Sequence, residues 1–122
     1  MAGRHSRLVV GGRGYWLAER LWSISRDLPV RAVPIAAIVE FDRDCWFGAG
    51  QSATCKAVAE HARRIYDADL SFPIILAADG SLMDGGHRAA KAWLFGHATI
   101  TAVQFLHDPA PDYIVPDPAM VS

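Results

Sequence analysis

An aspartate, two glycines, a histidine and an arginine stand in a row at Asp84-Gly85-Gly86-His87-Arg88, within LMDGGHRAAKAWLFGH (residues 82–97). The stretch reads as the end of a strand running into a helix, so its two cationic residues fall at the end of the helix that is already positive. Gly85 and Gly86 permit backbone angles barred to other residues and let a ligand come close to the main chain. Amides without an intrahelical acceptor, the helix dipole, Arg88 and a protonated His87 all favour an anion at this point. The planar fork of arginine suits a phosphate or a carboxylate. Asp84 has three uses here: capping the helix, holding Arg88, or helping to bind a metal ion that accompanies a phosphate. The plainer alternative is a tight turn in which Asp84 caps and Arg88 pairs with a surface acid.

Other residues are capable of chemistry but each has a simpler use. His61 lies close to the apolar stripe of its helix, where a satisfied boundary histidine is the ordinary outcome. Trp46 and Phe47, in a glycine-flanked loop, can stack on a base or plug the loop to the core. Lys56, Arg63 and Arg64 share a helix and read first as a solvated face, with a nucleic-acid patch as the alternative. His97 and His107 read as solvated loop residues. No HxxxH or HExxH spacing occurs, so no metal is expected.

These residues need elements to hold them. Residues 1–14 read as a loose basic arm and 15–28 as a helix with Leu17, Leu21, Ile24 and Leu28 on its apolar face, closed by Pro29. Trp16 and Trp22 are expected to widen that face. A strand follows at 30–33, then a turn-like segment begun by Pro34 and a loop at 42–52. The next helix, capped by Ser52 or Thr54, carries a buried stripe at Val58, Ala62 and Ile65. Residues 72–84 read as a hairpin turning at Asp79-Gly80, followed by the motif helix, with Trp93 in the core and Gly96 as its stop. The last strand is 98–107. Beyond it, residues 108–122 hold four of the seven prolines and are expected to wrap along the surface. The fold class is α+β: one small domain, a mixed β-sheet and about three helices.

With 122 residues, 52% of them hydrophobic and 20% charged, the chain has the composition of an ordinary globular domain. The formal net charge of −1 implies no global attraction to nucleic acid or to an anionic membrane. DNA remains a possible partner only through a local patch. Cys45 and Cys55 make neither a disulfide framework nor a zinc motif. No leader or membrane span is recognisable, so a cytoplasmic location is expected.

The segment PIILAADGSLMDGGHRAAKAWLFGHATITAVQF (residues 73–105) resembles the ParB/sulfiredoxin-like superfamily, and LPVRAVPIAAI (residues 28–38) is similar to the opening strand of that fold. Members carry a hairpin, a short glycine-containing motif ending in arginine, a helix and a strand. ParB proteins have G-E-R-R at the motif, sulfiredoxins G-G-C-H-R, and a group of ParB-like free-serine kinases D-G-x-H-R, which is closest to Asp84–Arg88. The resemblance spans about residues 28–106. It implies a nucleotide- or phosphate-binding domain with Asp84, Gly85, Gly86, His87 and Arg88 as the phosphate grip. Thr54 and His61 would line the pocket, and ATP, ADP or CTP would be the ligand, with or without magnesium.

The departures from the family carry information too. Gly86 stands where sulfiredoxin has its catalytic cysteine, which argues against thiol chemistry. The ParB helix-turn-helix and dimerisation domains have no counterpart, so the resemblance implies a fold and not chromosome partition. The serine kinases imply an alternative, phosphate transfer to a small hydroxyl substrate with Glu40 as the base. A third possibility is a DNA- or protein-binding regulatory module with a vestigial pocket. The proline-rich tail offers a route to a homodimer.

Overall fold

The computed structural model describes residues 3–48 and 50–117. Its centre is β4 (Ile74–Leu76), three consecutive apolar residues that are all buried. Such an uninterrupted run needs cover on both faces of its sheet. The sheet has the order β3-β6-β4-β5, with β3 at Arg31–Pro34, β6 at Thr99–Gln104 and β5 at Leu82–Asp84. β4 and β5 are antiparallel, joined by the expected turn, in which Gly80 N–H donates to Ala77 O. β4 and β6 are parallel, and α3 (Gly86–Leu94) forms the crossover that a parallel pair requires.

One face of the sheet presents Ile74, Leu76, Ile100 and Ala102 to Ala89 and Ala92 of α3 and to Ile35 and Ile38. Ile35 opens the first of two short 3-10 turns that follow Pro34, Ile35–Ala37 and Val39–Asp42, and Ile38 joins them. The small side chains at 89 and 92 let α3 lie close on the strands. The opposite face presents Ile75, Ala77, Val103 and Phe105 to Trp16 and Leu21. The two layers account for the burial of β4 on both sides.

Trp16 belongs to a second sheet of order β1-β2-β7, antiparallel throughout. Residues expected as a loose basic arm form β1 (Arg4–Val9) and, with the first residues of the expected helix, β2 (Gly12–Leu17). The helix is therefore shorter, α1 at Ala18–Ser25, and its buried residues are Ala18, Leu21 and Ser25. Leu17 and Ile24, expected inside, are 46% and 44% exposed. The proline-rich segment does more than wrap. Trp16 Nε1 donates to Pro109 O at 2.8 Å, Arg20 Nη1 to Ala110 O at 2.7 Å, and Tyr113–Pro116 then adds β7 beside β2.

The second helix, α2 (Cys55–Asp67), starts where expected, with Thr54 Oγ1 accepting from Ala57 N–H at 3.1 Å. Its inward face differs from the expected stripe: Val58 and Ala62 are exposed, and the less exposed positions are Ala57, His61, Ile65 and Ala68. Ile65 is common to the expected and the observed face, which α2 turns towards α3. Trp93 is also not a core residue; it is 61% exposed and only tilts against Phe41. The architecture is α+β, with mixed strand pairing and three α-helices among the described residues. None of these helices is long and apolar enough to cross a membrane.

Candidate functional site

The junction between β5 and α3 is built by conformation before charge. Gly85, the N-cap of α3, has φ of 118°, a value that L-residues rarely adopt. A Cβ there would also stand 2.5 Å from Ile74 Cγ2. Gly85 O accepts the first helical hydrogen bond from Ala89 N–H at 2.9 Å, and no side chain caps the helix. The amides of Gly86, His87 and Arg88 form the first turn, where an α-helix supplies no acceptor.

Arg88 is turned away from those amides. Its Nη2 donates to Asp84 Oδ2 at 2.5 Å, and Nη1 donates to Pro73 O at 2.8 Å and to Phe72 O at 3.3 Å. The two side chains of this ion pair are only 14% and 22% exposed. Asp84 Oδ2 also accepts from Trp22 Nε1 at 2.7 Å, so Trp22 ties α1 to the junction. Of the uses open to Asp84, holding Arg88 is the one the geometry displays.

His87 meets a partner on the neighbouring helix. Its Nε2 lies 2.8 Å from His61 Nδ1, and the rings are within 11° of parallel with centroids 5.1 Å apart. So close a nitrogen approach at that centroid separation means that the imidazoles meet edge to edge, sharing one proton along the contact. Trp46 lies flat over both, 4.7 Å from His87 at 4° and 4.8 Å from His61 at 11°. Phe47 closes the side, edge-on to His61. Burial, then the neighbouring His61 and Arg64, push His87 down from 6.5 to about 4, and burial also lowers His61. His87 is therefore neutral at pH 7, contrary to the cationic role in which a histidine at this position assists an anion.

The loop that delivers Trp46 is self-supporting. The Asp44 carboxylate accepts from the amides of Trp46, Phe47 and Gly48 at 3.0, 2.7 and 2.8 Å, and those bonds hold its pKa below the usual range. Cys45 Sγ donates to Glu40 O, and burial followed by the carboxylates of Glu40 and Asp44 raises its thiol pKa. A protonated thiol is a poor nucleophile. Between this loop and α3 runs a cleft of about 240 Å³ whose lining includes Phe41, Arg43, Asp44, Trp46, Phe47, Gly86 and Ala90. A Cβ on Gly86 would stand 3.3 Å from Trp46 Nε1, so the glycine lets the indole settle on the helix terminus.

The remaining expected residues lie around this centre. Glu40 Oε1 accepts from Leu82 N–H at 2.6 Å, which fixes the start of β5 beside the cleft. Thr54 is engaged as the α2 cap and does not line the cleft. The His61–His87 contact was not foreseeable from spacing, since the residues are 26 apart on different helices. His5 also escaped notice: its Nε2 is buried without a hydrogen-bond partner, and its ring lies 5.6 Å from that of Trp16. Among the described residues no cluster of three or more His, Cys, Asp or Glu could hold a metal ion.

The fold and site thus define a small α+β domain with a glycine-gated helix terminus under an aromatic loop. Comparison with protein families found none that matches, and comparisons with curated proteins and with solved structures gave no significant match.

Proposed function

We propose that this chain binds a phosphate-bearing small molecule, a nucleotide in the first instance, at the junction of β5 and α3, as the resemblance to ParB/sulfiredoxin-like domains implies. The observation that carries the reading is the cleft in which Phe41, Trp46 and Phe47 join Gly86 in the lining. A cleft of that lining accepts a flat ring system, and the first-turn amides beside it suit an anion. In this reading the phosphate is held by main-chain amides and the helix dipole. Arg88 and Asp84 set the position of the helix start and do not touch the ligand. Glu40 already positions the Leu82 amide, and binding without turnover is the function put forward.

Thermal unfolding with ATP, ADP, CTP and inorganic phosphate, each with and without magnesium, tests it. Ligand at a hundredfold its Kd adds about 2.7 kcal/mol to stability. Ala90→Leu narrows the cleft while leaving the junction intact, so it should keep its own Tm and lose the nucleotide-induced rise. No rise in the wild type with any of the nucleotides, or an equal rise in Ala90→Leu, overturns the reading.

A further inference from the structure

The outer face of the β1-β2-β7 sheet lies away from the cleft and has its own chemistry. Side chains alternate across a strand, and with Trp16 buried on the inner face, its neighbour Tyr15 points outward. Tyr15 stacks on Tyr113 of β7, with ring centroids 5.0 Å apart and planes within 14°. Arg4 of β1 reaches across: its guanidinium carbon lies 4.4 Å from the Tyr15 ring centre and its Nη1 donates to the Tyr113 hydroxyl. On the same face Arg13 Nη1 donates to Ser6 Oγ at 3.1 Å. The strands place no carboxylate among these side chains. Asp112, before β7, is already taken by the Leu17 amide and Arg20, and Asp117 follows the strand.

Two adjoining tyrosine rings on a sheet, flanked by two arginines with no acid between them, combine flat apolar faces with fixed positive charge. Bases stack on any aromatic face, and phosphates follow the cations. We infer that this face binds single-stranded nucleic acid, with a base against the outer side of Tyr113, which Tyr15 backs, and the backbone along Arg4 and Arg13. An acidic peptide would use the arginines but has no need of the stacked pair. Tyr113 is on an edge strand and 40% exposed, so a base can approach its outer side. The formal charge of −1 limits the long-range attraction, so the affinity should be modest and strongly salt-dependent.

The test is fluorescence anisotropy of labelled oligo-dT, oligo-rU and a duplex of equal length, titrated with the full chain at low salt. Both single strands should bind and the duplex should bind more weakly. Tyr113→Ala should weaken binding about tenfold, while Tyr113→Phe, which keeps the ring and loses the hydroxyl, should stay close to wild type. Arg4→Gln with Arg13→Gln should reduce the slope of log affinity against log salt by about 1.4. Circular dichroism of each variant confirms that β7 remains in place. If Tyr113→Ala disturbs the fold, Tyr113→Phe and the arginine pair still decide the matter. No binding of either single strand at about 100 µM protein, a preference for duplex, or binding indifferent to the arginine pair overturns the inference.

Discussion

Acidification should open the aromatic clasp, and the histidine pair sets how far. In the folded chain His87 is held near 4, whereas unfolded it titrates near 6.5. The unfolded state therefore takes up protons first, and stability falls as the pH drops from about 7.5, levelling off below about 4. At about 1.4 kcal/mol per pH unit the gap sets a ceiling near 3.4 kcal/mol. Because the ring is only half-buried, solvent screening leaves about 1–2 kcal/mol of that. The shape of the loss follows from the contact. The first proton taken up by the pair binds an outer ring nitrogen and leaves the Nδ1–Nε2 hydrogen bond in place, but a second leaves hydrogen on both facing nitrogens and drives the rings apart. Trp46 lies over both rings, so it should move with them. Urea unfolding at half-unit steps from pH 8 to 4, for wild type and His87→Gln, isolates the effect because His5, His97 and His107 are common to both. The wild type should lose about 1–2 kcal/mol more than the variant over that range. Curves that run parallel throughout would falsify the burial and coupling assigned to the pair.

Other residues of the site give sharp contrasts. Gly85→Ala should cost about 2 kcal/mol or more, from strain at φ 118° and from collision with Ile74; a chemical denaturation midpoint equal to wild type would contradict this. Arg88→Lys should destabilise by about 2 kcal/mol in the same assay, since one ammonium cannot serve Asp84, Pro73 and Phe72 together. Glu40→Gln should be nearly silent, because an amide oxygen still accepts from Leu82 N–H, while Glu40→Ala should cost about 1–2 kcal/mol. Thr54→Ala should lower stability by about 1 kcal/mol, with faster amide exchange confined to the first turn of α2.

The parts of the fold that could be read from the sequence are those specified by neighbours in the chain. The Asp79-Gly80 turn, the Thr54 cap and the paired glycines before α3 each act within a few residues, and each element starts where those signals put it. The first sheet was illegible for the opposite reason. β1 and β2 carry few inward apolar residues, and β2 is held by β7, about a hundred residues further on. The prolines that argued against a strand in the tail occupy its lead-in and its end at Pro116, leaving Tyr113–Val115 free to pair. The α2 stripe was read correctly at Ile65 and misread at Val58 and Ala62, since helix phase is set by what the helix packs against. At the site, the strained glycine was legible at the level of residue type. The direction of Arg88 and the neutrality of His87 were not, since both depend on groups brought in from residues 61, 72 and 73.

The two cationic residues at the positive end of α3 are thereby explained without a ligand. Arg88 is neutralised by Asp84 and by two carbonyls on the β4 side, and its guanidinium is directed there. His87 gives up its charge through burial and its contact with His61. Neither side chain repels the helix dipole, and neither occupies the first-turn amides. What stands beside that terminus is the Nε1 edge of the Trp46 indole, admitted by the missing side chain at Gly86. A ligand anion arriving there would compete with an aromatic ring and not with a salt bridge, which is the easier exchange. Its affinity should therefore respond more to Trp46 and Gly86 than to Arg88, the reverse of what the motif read as a string of charges suggests.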